Sequence, residues 1–151
     1  MKVRFIMKYV LLLKNFLFIL SLLLMIPSSV QCFEAKCKKI LDAKNIHVWY
    51  DSTFLSRRMK VQLYGINVAD KKTKSGMKAK SFLVNNILGK MINIQPMNRS
   101  FSGWTQALIF LNKNCVNEEL ISQGLVGIDT KECSDQICAK WIKIMKNINK
   151  N

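Results

Sequence analysis

The sequence has very little histidine and no closely paired cysteines. Its 151 residues include a single histidine, His47, and five cysteines, none of which form a Cys-x-x-Cys pair. Protein zinc sites are built largely from such groups. The composition therefore argues against a zinc site, and His47 is predicted to be a strand residue rather than a metal ligand or a catalytic base.

The sequence also has no apolar run long enough to cross a membrane as a helix. Its longest run, residues 16–26, spans 11 residues and is interrupted by Ser21, whereas a spanning helix needs about 20. Four basic residues and no acidic residue precede this run, and small or polar residues follow it up to Cys32. This order is typical of a secretory signal peptide over residues 1–32, cleaved after Cys32.

The chain is therefore expected to be exported, either to the periplasm or out of the cell, with no stable membrane span after cleavage. An uncleaved N-terminal anchor is the alternative, which would leave the protein attached to a membrane. Lipid attachment at Cys32 has less support, because Val30-Gln31 is a poor approach to a lipidated cysteine.

Acidic residues are scarce as well. All nine of them lie after residue 32, together with 20 of the 24 lysines and arginines, so this part of the chain carries about +11. Such an excess favours anionic partners: nucleic acid, acidic lipid headgroups or acidic glycans. Because 17 of the 20 are lysines and asparagine is also abundant, a coding bias that produces an ordinary solvated surface is the competing interpretation.

Four cysteines remain after residue 32, namely Cys37, Cys115, Cys133 and Cys138. An even number in an exported chain predicts up to two disulfides, and four cysteines allow three pairings. The sequence does not choose among these pairings.

Local patterns predict four strands, over residues 46–54, 59–66, 90–97 and 105–111. Helical spacing of apolar residues predicts helices over 77–88 and 116–123, ended by Gly89 and Gly124, and a last helix that Ser134 can cap. That helix carries an apolar stripe of Ile137, Trp141, Ile144 and Met145, in which Trp141 is predicted to be core. Residues 56–58 are predicted to form a turn with exposed arginines, and residues 69–76 a lysine-rich loop.

The overall order is predicted to be three strands, a helix, two strands and two helices, in which one of the first three strands has no assigned range. This order suits an α+β domain over residues 33–151: a five-stranded Greek-key barrel of the oligonucleotide-binding (OB-fold) type with three helices. The interior of the barrel is predicted to contain Val61, Leu63, Ile92, Ile94, Ala107 and Ile109.

Five segments in a fixed order resemble a staphylococcal-nuclease (thermonuclease) domain. They are Tyr50-Asp-Ser-Thr-Phe54, Val61-Gln-Leu-Tyr-Gly-Ile-Asn67, the helix around Ala79, Gly103-Trp-Thr-Gln-Ala-Leu108, and Val116-Asn-Glu-Glu-Leu120 with Gln123-Gly-Leu125. The resemblance covers nearly all of residues 33–151. It implies the same barrel that the strand order predicts.

Active members of that family hydrolyse phosphodiesters of DNA and RNA with one Ca²⁺. Their first turn reads Asp-Gly-Asp-Thr, and its second Asp binds the metal. A strand arginine clamps the phosphate, an Asp-x-Pro-Glu segment supplies a further ligand and a glutamate that activates water, and an arginine in Tyr-Gly-Arg stabilises charge on the phosphate. These roles need hard anionic ligands, preorganised guanidinium groups and a carboxylate base.

Carried over to this chain, the resemblance puts neutral side chains at most of these positions. The turn aspartate falls on Ser52, the strand arginine on Gln62, the later metal-binding aspartate on Asn67 and the second arginine on Trp104. Only the glutamate position keeps an acid, Asp70. Weak metal binding would have to use Asp51, after a local shift of register, with Asn67 and Asp70. No cofactor is expected, although Ca²⁺ would be the metal if activity remained.

The resemblance therefore implies a weak or inactive nuclease whose remaining property is binding. The candidate nucleic-acid contacts are Arg99, Trp104 and the lysines around the first helix, Lys71, Lys72, Lys74, Lys78 and Lys80. A solvated helix face is the alternative for the lysines, and packing is the alternative to base stacking for Trp104. Two other functions stay open: a working metal-dependent phosphodiesterase with a rearranged site, and a protein-interaction module outside the cytoplasm.

Overall fold

The computed structural model describes residues 32–52, 55–70, 72–99, 102–133 and 136–148. The predicted signal peptide up to residue 31 lies outside the described residues, as do Lys71, Ser134 and the side chains of Ser52 and Arg99. Every described residue belongs to one compact unit, Gln31–Asn151. No helix in this described part is long and apolar enough to cross a membrane.

The described strands form a closed barrel with two small additions. They are β1 (Phe33–Ile40), β2 (Asn45–Ser52), β3 (Leu55–Leu63), β4 (Ile66–Asn67), β5 (Met91–Arg99), β6 (Thr105–Leu111), β7 (Asn114–Cys115) and β8 (Gly127–Ile128). The order β3-β2-β1-β5-β6 is antiparallel throughout, and a parallel pairing of β3 with β6 closes the barrel. The short β7 extends β6, and β4 pairs with β8. The predicted α+β fold with a five-stranded, OB-fold-like barrel is confirmed.

Apolar side chains at alternate positions of the strands fill the interior of the barrel. Successive strand side chains point to opposite faces, and the six predicted interior residues are all at most 1% exposed, as are Ala35, Cys37, Ile46 and Val48 from the first two strands. These apolar residues therefore face inward, while the alternate positions of β1, β2 and β3 face outward and carry most of the polar side chains.

Three helices are described: α1 (Lys74–Ile87), α2 (Val116–Ser122) and α3 (Gln136–Ile148). Helix α1 buries Ala79, Leu83 and Ile87, and α3 buries Trp141 completely, as predicted. Helix α1 begins three residues before the predicted start. The Thr73 hydroxyl accepts a hydrogen bond from the Gly76 N–H at 3.1 Å and so caps a turn of polar residues that lacks an apolar pattern.

Two strand predictions need correction. The turn predicted at residues 56–58 is wrong, because β3 begins at Leu55 and pairs Ser56, Arg57 and Arg58 with Asp51, Tyr50 and Trp49. The patterns also gave no strand range before residue 46, whereas β1 occupies Phe33–Ile40. In both segments the hydrogen bonds to neighbouring strands decide the conformation, since lysine- and arginine-rich sequence has weak β-propensity of its own.

One disulfide forms among the described cysteines, between Cys133 and Cys138, and it spans the start of α3. Cys37 and Cys115 are free thiols on the barrel and at the start of α2. Burial raises the pKa of the Cys37 thiol to about 11. One disulfide lies within the predicted limit of two, and Cys37 is buried inside the barrel as a free thiol.

Candidate functional site

The two positions that the resemblance assigns to arginines lie close together on adjacent strands. Gln62 on β3 is opposite Asn45 on β2 and beside Gln106 on β6, and Trp104 immediately precedes β6. The Gln62 Nε2 donates to Asn45 Oδ1 at 3.2 Å, and Gln106 Nε2 makes a longer contact of 3.5 Å to Gln62 Oε1. Gln62 thus links neutral amides of β2 and β6 into a row, and the Asn45 amide donates in turn to the Asp42 carboxylate at 2.9 Å.

The Trp104 ring lies against two residues of the outward barrel face. Its centroid is 5.9 Å from that of the His47 imidazole, and Lys60 Nζ lies 5.8 Å from the indole centroid. The ring is half-buried, and an ammonium at this distance is attracted to the indole face. Trp104 therefore packs against His47 and Lys60 without being fully buried.

His47 sits among cations. Burial lowers the pKa of its imidazole, and the positive charges of Arg58, Lys39 and Lys60 lower the pKa further. These three side chains are exposed and flank His47 from β1 and β3. The imidazole is accordingly held neutral at pH 7, and the surface around it has a strongly positive field.

Among the three candidate metal-binding residues, Asp51 lies far from Gln62, the position assigned to the phosphate-clamping arginine. Asp51 is exposed and pairs with Ser56, at the end of the β2–β3 hairpin that is remote from Gln62, roughly 20 Å along the strand. Asn67 is exposed in β4, on the other side of Gln62 along the chain. Among the described residues, no group of three His, Cys, Asp or Glu side chains is arranged to hold a metal ion.

Asp70 has a local structural role. Its carboxylate accepts a hydrogen bond from the Lys72 N–H at 2.9 Å, and its carbonyl accepts from the Thr73 N–H at 2.8 Å and the Thr73 hydroxyl at 2.7 Å. A Cβ on Gly76 would collide with this same carbonyl. Asp70 therefore shapes the turn that leads into α1, and its carboxylate is exposed beside that turn.

The candidate lysines are divided between two sides of α1. Lys72, Lys74 and Lys78 are exposed, and Lys74 and Lys78 line a groove of about 510 Å³. The other lining residues are Met77, Ser81, Phe82, Asn85, Gln123 and Leu125. Lys80 is half-buried on another side of the helix, two residues and about 200° further round. The backbone of Arg99 pairs with Thr105 at the end of β5, beside Trp104.

The turn between β1 and β2 holds charged residues that the sequence patterns missed. The Asp42 carboxylate accepts hydrogen bonds from the Lys44 and Asn45 N–H groups, both at 2.8 Å, and from the Asn45 side-chain amide. Lys44 Nζ is 3.1 Å from Glu132 and 3.6 Å from Asp129. The sequence Asp-Ala-Lys-Asn before an alternating strand is a recognisable turn signal, so this turn was within reach of sequence reasoning.

Comparisons with known proteins assign no family to this chain. No protein-family model matches the sequence. No curated protein matches it either.

Proposed function

We propose that the chain is an exported staphylococcal-nuclease-like domain with weak or absent catalysis, which binds nucleic acid or another polyanion through a basic surface. The observation that carries the proposal is the hydrogen-bonded row of neutral amides formed by Asn45, Gln62 and Gln106. Neutral amides cannot supply the preorganised positive charge that stabilises a developing phosphate transition state. Loss of a single preorganised donor typically costs about 10²–10³-fold in rate.

Within this proposal, the first turn of the family corresponds to Asp42-Ala-Lys-Asn45 and not to the segment around Ser52. A metal ion that bridges the scissile phosphate must lie near the group that clamps the same phosphate. Asn45 is opposite Gln62, the clamp position, whereas Ser52 is at the far end of the hairpin. Lys44 then stands at the second aspartate of the turn. Its ammonium group forms ion pairs with Asp129 and Glu132. A positive charge at this position would repel a divalent cation.

The positive charge of the domain supports retained binding. After residue 32 the chain has 20 basic residues and nine acidic ones. This net positive charge attracts a polyanion regardless of the polyanion's sequence. The exposed Lys72, Lys74 and Lys78, together with Trp104, are the proposed contacts from the original candidate set. Lys71, Lys80 and Arg99 are the remaining candidates that the sequence predicted.

A digestion assay tests the catalytic half of the proposal. The purified protein is incubated with plasmid DNA and with RNA in Ca²⁺, Mg²⁺, Mn²⁺ or EDTA, and we expect no metal-dependent cutting. A multiple variant, Lys44→Asp with Gln62→Arg, Asn67→Asp, Asp70→Glu and Trp104→Arg, is the positive control that restores the family's charges. Efficient metal-dependent cutting by the unmodified protein would instead establish a phosphodiesterase with a rearranged site.

A binding series tests the other half. Fluorescence anisotropy of a labelled oligonucleotide is measured from low to physiological salt, and we expect affinity to fall steeply as salt rises because counterions are released. Lys74→Ala with Lys78→Ala should weaken binding more than Lys143→Ala with Lys146→Ala, a matched removal of two exposed charges from α3. Absence of binding even at low salt would favour the protein-interaction module.

A further inference from the structure

Three aromatic rings form a row on the outward face of the barrel. His47 and Trp49 are two residues apart on β2, so their side chains leave the same face about 7 Å apart. Trp104 adds a third ring, 5.9 Å from His47. All three residues are half-buried. We call Trp104, His47 and Trp49 the ring row.

Cations flank the ring row on both sides. Lys39 on β1 and Lys60 on β3 are the cross-strand neighbours of His47, and Lys36 and Arg58 hold the same positions beside Trp49. All four are exposed, and none of them forms an ion pair with a carboxylate among the described residues. Uncompensated charges on adjacent strands repel one another, and a bound anionic backbone would relieve that repulsion.

A groove continues the row beyond Trp49. It is about 590 Å³ in volume and is lined by Lys36, Lys38, Trp49, Tyr50, Asp51, Ser56 and Met91. Asp51 is its one acidic lining residue, near the far end of the hairpin. The groove thus adds one further lysine, Lys38, and apolar surface next to Trp49.

From this arrangement we propose that the outward face of β1, β2 and β3 binds single-stranded nucleic acid, with bases stacked on the ring row and phosphates held by Lys36, Lys39, Arg58 and Lys60. The inference rests on the proposed polyanion binding, names its ligand class, and adds contacts on the barrel face to those proposed around α1. Base–aromatic stacking with a basic track is the general means of binding single strands. A duplex is a poorer ligand, because both faces of each internal base are already stacked.

The test compares a normal and an abasic single strand of equal charge, and adds a duplex in which the bases are already stacked. The full chain, expressed in an exporting host, is titrated with a labelled single-stranded 12-mer, with an abasic 12-mer and with a duplex. We expect the single strand to bind more tightly than the abasic strand at equal salt. Trp104→Ala and Trp49→Ala should each remove about 5- to 150-fold of single-strand affinity and leave abasic binding nearly unchanged.

Control variants separate stacking from folding and from charge. Trp104→Phe and Trp49→Phe keep an aromatic ring and should keep most of the affinity. If the phenylalanine variants bind and the alanine variants do not, the loss of affinity comes from the missing ring and not from misfolding. Lys39→Ala with Lys60→Ala should weaken binding of all three ligands. Lys143→Ala with Lys146→Ala, the same change of charge at exposed positions of α3, should leave the preference for bases over abasic strand intact.

The single histidine gives an independent signal. Because His47 is the chain's only histidine, its imidazole resonances are assigned without ambiguity, and they should shift with the single strand more than with inorganic polyphosphate. Equal affinity for normal and abasic strands, with no effect of the tryptophan variants, would overturn the ring-row proposal while polyanion binding stood. Absence of binding to any of the strands at low salt would overturn both.

Discussion

Asn117 connects three parts of the domain through a fully buried side chain. Its Oδ1 accepts a hydrogen bond from the Ile109 N–H at 3.0 Å, and its Nδ2 donates to the Tyr64 carbonyl at 3.0 Å and the Ala107 carbonyl at 3.3 Å. It is the one buried polar side chain among the described residues. The amide thereby fixes α2 against β6 and against the turn that follows β3.

Replacement of Asn117 by alanine should destabilise the fold by about 3 kcal/mol, because the Ile109 N–H and the Tyr64 carbonyl would be buried without this partner. Urea unfolding followed by tryptophan fluorescence measures the change. Asn114→Ala, at an exposed position of β7, is the control and should change stability by no more than about 0.5 kcal/mol. Equal effects of the two substitutions would refute the connecting role of Asn117.

A comparison of Gly65 and Gly124 distinguishes the cost of backbone strain from the cost of close packing. Gly65 and Gly124 both have positive φ, +70° and +63°. A Cβ at Gly65 would lie 2.6 Å from Cys133 Sγ and 2.9 Å from Trp141 Cζ3, whereas a Cβ at Gly124 would meet no atom within 4 Å. Gly124→Ala should therefore cost about 1 kcal/mol from the left-handed backbone alone.

Gly65→Ala should cost about 1–3 kcal/mol more than Gly124→Ala, because the methyl group also displaces packed side chains. Chemical denaturation of the two variants in parallel gives the difference. If both variants lose the same stability, the contact between the β3–β4 turn and α3 is looser than these distances indicate.

At the scale of elements, helices α2 and α3 are joined through Glu118. Its carboxylate accepts from Lys140 Nζ at 2.8 and 2.9 Å and from the Trp141 indole N–H at 3.1 Å. The Lys140 hydrogen bond is the main reason why the pKa of Glu118 lies below its ordinary value. A lowered carboxyl pKa means that the folded state favours the ionised form.

This pair predicts a specific acid sensitivity. The Glu118 contribution should be fully present above about pH 4.3, the ordinary glutamate pKa, and should be lost as the pH falls through the lower pKa of the folded state. The difference in unfolding free energy between the unmodified protein and Glu118→Gln should thus be constant from pH 7 to about 5 and shrink below it. Glu119→Gln, which removes a neighbouring carboxylate without these contacts, should show no such change.

The hairpin of β2 and β3 shows why some elements were predicted and others were not. Ile46, Val48, Val61 and Leu63 alternate with polar residues, so local pattern alone identified these stretches as strands. Ser56, Arg57 and Arg58 have no such alternation, and only the pairing with β2 makes them β3. Likewise, the Thr73 cap rather than an apolar stripe starts α1.

At the scale of the whole molecule, the Cys133–Cys138 disulfide holds the start of α3 beside the turn at Gly65. Closing a loop with a sequence separation of 5 should contribute about 2 kcal/mol through the unfolded chain. Cys133→Ser with Cys138→Ser should lower the thermal midpoint accordingly, as measured by calorimetry. Cys115→Ser, which removes a free thiol, is the control, and a comparable loss there would contradict the assignment.

The sequence by itself determined the barrel class, its interior residues, the helix ends at Gly89 and Gly124, and the excess of positive charge. Each of these depends on local spacing or on composition, which the chain carries without reference to its fold. The absence of guanidinium at Gln62 and Trp104 was also legible within the family resemblance.

Only the tertiary structure decided which side chains meet. The parallel pairing of β3 with β6 places Gln62 beside Gln106, the strand register sets Lys39, His47 and Lys60 side by side, and the start of α3 brings Cys133 to Cys138. These neighbours are distant in sequence, and a one-residue change of register would send every side chain of a strand to the opposite face. Local patterns cannot encode the register between strands, because it is set when the barrel closes.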